Sequence, residues 1–147
     1  MIIAYLMKTW IFSGIYCCVF ISIRRYMGGY HAKTRKNCTI ITIISYCLYL
    51  VIVLTLPVKY NLILGIAAIL FYCIIAIILT PVQHKNNPIT KEKANNNRKK
   101  ILLLSTLYIT CFISLNSDIN YMQYALAFSL SLFIVGIMAM IGRIFRD

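Results

Sequence analysis

The segment that follows the first apolar stretch of the chain holds the residue types that a cysteine peptidase needs. It reads RRYMGGYHAKTRKNC from Arg24 to Cys38 and includes His31, one of two histidines in the chain. In a cysteine peptidase the nucleophile is a thiolate, and a histidine takes its proton and later returns it to the leaving amine. Cys38 and His31 are therefore the candidate nucleophile and general base.

Cys38 lies where this segment meets the next apolar stretch, and that position favours the thiolate. Thr34 or Asn37 is expected to cap a helix that begins there, which places Cys38 in its first turn or two. The helix dipole and free backbone N–H groups stabilise an anion at such a place. Lys36 and Arg35 add positive potential. The five other cysteines fall inside apolar stretches, where a thiol stays protonated and inert.

The spacing of His31 and Cys38 constrains the local fold. In one straight helix the two residues would lie about 10 Å apart, whereas proton transfer needs about 3 Å. A functional pair therefore requires the chain to fold back between Ala32 and Lys36. Gly28 and Gly29 help, because glycine adopts backbone angles that other residues resist.

Simpler interpretations of these residues remain open. His31 is then an interfacial histidine, Cys38 a structural thiol, and His84 a solvated residue or an alternative base. A metal site is not expected, since His31, Cys38 and His84 supply at most three zinc ligands and the chain has no CxxC pair. No cofactor is predicted.

The composition predicts a membrane protein. Of 147 residues, 61% are hydrophobic and only 12% charged, and a soluble chain of this size cannot bury so much apolar surface. A spanning helix needs about 20 apolar residues. We therefore predict an all-α bundle of about five spanning helices with two basic cytoplasmic loops. The predicted spans are Thr9–Ile23, Thr39–Leu56, Leu62–Thr80, Ile101–Leu115 and Met122–Gly142.

Basic residues predict the orientation of this bundle. They concentrate in the first connection, in the long connection before Ile101 and in the C-terminal tail. The two short turns, Pro57–Asn61 and Asn116–Tyr121, contain only one basic residue, Lys59. Because basic loops stay in the cytoplasm, both long connections are predicted to face it. The formal net charge of +12 then reflects topology and contact with anionic lipids. Nucleic acid is not an expected partner, because no aromatic platform alternates with the charges.

The same residues resemble the signature of the accessory gene regulator B family, the AgrB peptidases of Gram-positive quorum sensing. The similarity comprises the Arg24-Arg25 pair, the run Gly28-Gly29-Tyr30-His31-Ala32, and Cys38 at the family's distance from the histidine. Thr80-Pro81 followed by Asn87-Pro88-Ile89 and a basic run resembles the family's second loop. The resemblance covers essentially the whole chain, as a single AgrB-like membrane domain over residues 1–147.

The resemblance implies a specific reaction. Family members cut a peptide precursor, AgrD, and Cys38 would attack that peptide bond at the cytoplasmic face with His31 as base and then acid. A Cys or Ser side chain of the precursor would capture the thioester and close a thiolactone or lactone ring. A homodimer is one candidate assembly. The residues expected to contact the precursor are Arg24, Arg25, Gly28, Gly29, Tyr30, Gln83 and Pro88.

The chain departs from the family pattern in two ways. Gln83 stands where members commonly have an Asp, so Gln83, Asn37 or a backbone carbonyl is the expected partner that orients the imidazole. The chain is also expected to lack the family's N-terminal region, and hence to process its precursor poorly. Two rival functions are a silent relative that only binds the precursor, and a small transporter subunit. Transport is disfavoured because no ionisable residue lies deep inside a predicted span.

Overall fold

A computed structural model of the chain describes residues 9–27, 35–79 and 90–144. Within these ranges the secondary structure is helical and contains no strand, which confirms the predicted all-α bundle. Two short 3-10 turns, Val58–Tyr60 and Ile119–Tyr121, connect consecutive helices. The helices are α1 (Trp10–Met27), α2 (Arg35–Thr55), α3 (Asn61–Leu79), α4 (Lys91–Asn116) and α5 (Met122–Ile144).

Helix α4 begins at Lys91, ten residues before the predicted start at Ile101. Thr90 caps it, since the Thr90 side chain accepts a hydrogen bond from the Lys93 backbone N–H at 3.4 Å. Glu92 in the first turn complements the helix dipole. The prediction that the basic residues before Ile101 form part of a loop is therefore wrong from Lys91 onward, because capping and helix propensity extend the helix beyond its apolar part.

Three helices within the described ranges are long and apolar enough to cross a membrane. They comprise Val58–Leu79, Lys91–Asn116 and Ile119–Ile144, and the mean hydropathy of the first reaches 3.1. Helix α2 has a shorter apolar part, Thr39–Thr55. Helix α1 has 18 residues and ends with Arg24 and Arg25 in its last turn, so its apolar part is shorter still.

Helix α5 forms the centre of the bundle and contacts the four other helices. Many of its buried residues are small, including Ala125, Ala127, Ser129, Ser131 and Ala139. Lipid tails are as apolar as the helices they surround, so helices in a membrane associate through close packing rather than through the hydrophobic effect. The small side chains of α5 allow that close approach.

Gly65 of α3 lies at the tightest of the described glycine contacts. A Cβ atom at this position would lie 2.6 Å and 2.9 Å from ring atoms of Phe112 in α4, and 3.3 Å from the Ser129 Oγ of α5. Phe112 is itself buried, so its ring has little room to move. Three helices therefore meet where only glycine fits.

We expect Gly65→Val to lower the midpoint of thermal unfolding in detergent by on the order of 5 °C, because overpacking costs about 1–3 kcal/mol. Gly136→Ala is the control, since a Cβ there meets its nearest neighbours at 3.5–3.7 Å, an ordinary contact distance. Thermal denaturation followed by size-exclusion chromatography measures both. Equal shifts for the two variants would contradict this account of the packing.

Candidate active site

Most basic residues of the described chain lie at one end of the bundle, where α1 and α5 end and α2 and α4 begin. We call this end the basic end. Two contacts across helices hold it together: Arg24 of α1 reaches Thr42 of α2, and Lys100 of α4 lies over the Tyr26 ring of α1. Its basic residues are Arg24, Arg25, Lys36, Lys91, Lys93, Arg98, Lys99, Lys100 and Arg143.

Cys38 is the fourth residue of α2, which begins at Arg35. Its backbone therefore lies in the first turn, as predicted, where the positive end of the helix dipole stabilises a negative charge. Asn37 is inside the helix, so the prediction of Asn37 as an alternative cap is wrong. The other predicted cap, Thr34, lies outside the described residues.

Hydrogen bonds between α1 and α2 fix the position of this first turn along the axis of α1. The Tyr16 hydroxyl lies 2.8 Å from the Ser45 hydroxyl, and the Tyr49 hydroxyl donates to the Phe12 carbonyl at 2.9 Å. Tyr16 and Tyr49 are both buried, and their rings pack at a centroid distance of 4.9 Å. A slide of α2 along α1 would break these contacts together, so the position of Cys38 relative to α1 is set.

Arg24 lies close to the start of α2. Its Nη1 donates to the Thr42 Oγ1 at 3.5 Å, and its guanidinium lies 4.9 Å from the centre of the Phe20 ring. Thr42 follows Cys38 by four positions, so the two positions share one face of α2 about one turn apart. The helix contact thus places a permanent cation one turn from the position of the candidate nucleophile.

Arg24 and Arg25 were predicted to belong to the first connection, but α1 continues through both to Met27. Met27 is fully buried, and the packing of this apolar residue explains why the helix extends past the charged pair. Arg24 then packs between helices, whereas Arg25 is exposed beside α4.

The remaining candidates lie outside the described residues, so the pairing of His31 with Cys38 stays a prediction. The candidates outside the described residues, in the first and second long connections, are Gly28, Gly29, Tyr30, His31, Gln83, His84 and Pro88.

Within the described part of the chain, no group of three or more His, Cys, Asp or Glu side chains is arranged to hold a metal ion. Five cysteines are free thiols within helices: Cys17, Cys18, Cys47, Cys73 and Cys111.

The lysines that precede Ile101 were predicted to lie in a loop, but in the structure Lys99 and Lys100 belong to helix α4. Lys99 and Lys100 face α1 across a groove, and the Lys100 ammonium lies 5.1 Å from the centre of the Tyr26 ring. The signal was present in the sequence: Thr90 followed by Glu92 is a helix start, with an N-cap residue and an acidic residue in the first turn.

Comparisons with known proteins agree with one another. The model of the family described as AgrB, Accessory gene regulator B, matches residues 1–140. The chain is 34% identical over 114 residues to a protein of Clostridium perfringens (strain SM101 / Type A) named as AgrB-like, an alignment that covers 74% of this chain and 51% of that protein.

A second AgrB-like protein, from Clostridium perfringens (strain 13 / Type A), is 34% identical over 105 residues, which cover 67% of this chain and 48% of the relative. The chain thus spans about half the length of the curated relatives it matches. No solved structure matches the chain.

Proposed function

Because the chain belongs to the accessory gene regulator B family, we propose that it is a membrane-embedded cysteine endopeptidase that cleaves an AgrD-like propeptide and helps to cyclise it. One observation carries the proposal: Cys38 of the family signature lies in the first turn of α2, at the basic end of the bundle. This is where a thiolate is stabilised by the helix dipole and by nearby cations.

The first half of the reaction is acyl transfer to the enzyme. His31 takes the proton of the Cys38 thiol, and the thiolate attacks the scissile carbonyl of the precursor. Backbone N–H groups at the start of α2 are suited to receive the oxyanion that forms. His31 then gives its proton to the leaving amine, the peptide bond breaks, and the N-terminal fragment stays on Cys38 as a thioester.

The second half closes the ring and restores the enzyme. A Cys thiol or Ser hydroxyl within the bound fragment attacks the thioester carbonyl, and His31 accepts its proton. The C–S bond to Cys38 breaks as the new thiolactone or lactone bond forms. The proton then returns to the Cys38 sulfur, so the step consumes no other reactant. Gln83, Asn37 or a backbone carbonyl would orient the imidazole.

The helix framework supports this chemistry by holding one reactant in place. Attack on a peptide bond needs the sulfur about 3 Å from the carbonyl carbon, and a misplacement of about 1 Å can cost about a hundredfold in rate. The α1–α2 hydrogen bonds and the Arg24–Thr42 contact restrain the start of α2. The precursor would contact Arg24, Arg25, Gly28, Gly29, Tyr30, Gln83 and Pro88.

The proposed assay co-produces the chain with an AgrD-like precursor that carries a C-terminal epitope tag. If the chain is a peptidase, a tagged fragment shorter than the precursor appears on a gel only when the chain is present. A precursor that remains intact but co-purifies with the chain would instead identify a silent relative that binds without cutting.

The basic end is proposed to face the cytoplasm, since basic residues are retained on that side. The test places one cysteine, Lys91→Cys, in a chain whose six native cysteines have been replaced. We expect this cysteine to resist labelling by an impermeant maleimide in intact cells. One at Ser117→Cys, in the turn at the opposite end, should react. Both positions are exposed in the structure.

Permeabilised cells provide the control for this topology, because both variants should then be labelled. Labelling of Lys91→Cys in intact cells would invert the orientation and separate the basic end from a cytoplasmic precursor.

A further inference from the structure

A groove runs between α1 and α4 at the basic end. Its volume is about 690 Å³, and its polarity changes along its length. Arg25, Lys99 and Lys100 line one end, and Ile21, Leu103 and Leu104 line the walls toward the middle of the bundle. One turn of helix separates the cations from the apolar residues on both sides, so the groove is charged at the interface and apolar at depth.

The cations of the groove lack a carboxylate partner among the described residues. The described carboxylates are Glu92 and Asp118. Glu92 precedes Lys99 by seven positions, about 10 Å along the same helix, and Asp118 lies beyond the opposite end of α4. An anion that neutralises the three side chains must therefore come from outside this framework.

Ser22 lines the groove, and its hydroxyl is already hydrogen-bonded within the protein. The Ser22 hydroxyl donates to the Cys18 carbonyl and lies 2.8 Å from the Tyr108 hydroxyl of α4. The Ser22–Tyr108 contact ties α1 to α4. Apart from Arg25, Lys99 and Lys100, the residues that line the groove carry no charge. A ligand that fits must combine an anionic head with an apolar tail.

We propose that this groove binds an anionic phospholipid, with its phosphate against Arg25, Lys99 and Lys100 and one acyl chain along Ile21, Leu103 and Leu104. The groove follows the axes of α1 and α4, which is the direction of acyl chains in a bilayer. An amphipathic peptide lying on the membrane surface would cross that direction. The site shares Arg25 with the proposed precursor contacts but includes neither Cys38 nor His31, so lipid binding can be tested without peptidase activity.

The test uses the full chain in nanodiscs that hold equal amounts of phosphatidylglycerol and phosphatidylcholine. After gentle release, native mass spectrometry counts the lipids that each chain retains. We expect the wild type to retain phosphatidylglycerol preferentially. Each Lys or Arg near a membrane surface contributes roughly a fivefold preference for anionic lipid. The preference of K99Q/K100Q for phosphatidylglycerol should therefore be lower than that of the wild type by on the order of twentyfold.

A matched variant separates a specific site from general surface charge. K91Q/K93Q removes two charges from the same helix at positions that do not line the groove, and it should keep the preference. Leu103→Trp keeps every charge but fills the apolar part, and it should lose the retained lipid. Thermal unfolding of each variant checks that it remains folded.

Three results would overturn the proposal. Equal losses in K91Q/K93Q and K99Q/K100Q would show that only surface charge matters. Undiminished lipid retention by Leu103→Trp would place the lipid elsewhere. A peptide mass on the wild-type chain, with phosphatidylglycerol not enriched, would assign the groove to a peptide.

Discussion

Cys38→Ala is expected to abolish cleavage of the tagged precursor, with a loss of at least on the order of a thousandfold. The reason is that the nucleophile supplies the bond that holds the acyl fragment, and an alanine side chain cannot form that bond. Cys47→Ala is the matched control, because Cys47 lies nine positions later in the same helix and is a free thiol. It should retain most of the activity.

The readout for both variants is the ratio of cut to intact precursor at equal amounts of membrane-inserted chain. Undiminished cleavage by Cys38→Ala would end the cysteine-peptidase account. Equal loss in Cys47→Ala would mean that cleavage reports the integrity of α2 rather than its chemistry.

His31→Ala is expected to reduce turnover on the order of a thousandfold or more, because loss of the base leaves the thiol protonated and the leaving amine without a proton donor. His84→Ala should cost little, since the second histidine of the chain is not needed for this step. Initial rates of precursor cleavage measure both variants. If His84→Ala proved the more damaging change, the base would be misassigned even with Cys38 kept as nucleophile.

The apolar stretches of the sequence predicted the number and order of the helices within the described ranges well. Membrane helices satisfy their backbone hydrogen bonds internally, so a run of apolar residues suffices to locate one. Hydropathy fails where a helix extends beyond the apolar region. Helix α1 continues through Arg24 and Arg25 to the buried Met27, whose packing favours the extra turn, and α4 begins at Lys91 because Thr90 caps it there.

The candidate site was only partly predictable for a related reason. The placement of Cys38 at a helix start follows from the border between loop and apolar residues, which is a local signal. The contact of Arg24 with Thr42 and the groove between α1 and α4 join residues that are distant in the sequence. Such pairings depend on which helices are neighbours around α5, and no local pattern encodes that.

Small residues, hydroxyl groups and cations have distinct roles in the bundle. Gly65 and the small residues of α5 allow close packing, and hydroxyl pairs such as Tyr16–Ser45 set the register between helices. The cations concentrate at one end, where the proposed chemistry and the proposed lipid site lie side by side. Replacing a small residue should therefore lower stability, whereas replacing Lys99 and Lys100 should lower lipid retention.

The central claim is that Cys38 carries the acyl fragment, and mass spectrometry of the trapped intermediate tests it most directly. The wild-type chain is co-produced with a precursor whose ring-forming residue is changed to Ala, so that its own side chain cannot capture the thioester. The peptide that contains Cys38 should then gain the mass of the precursor's N-terminal fragment, and hydroxylamine should remove it. A fragment attached to any other residue, with Cys38 unmodified, would contradict the account.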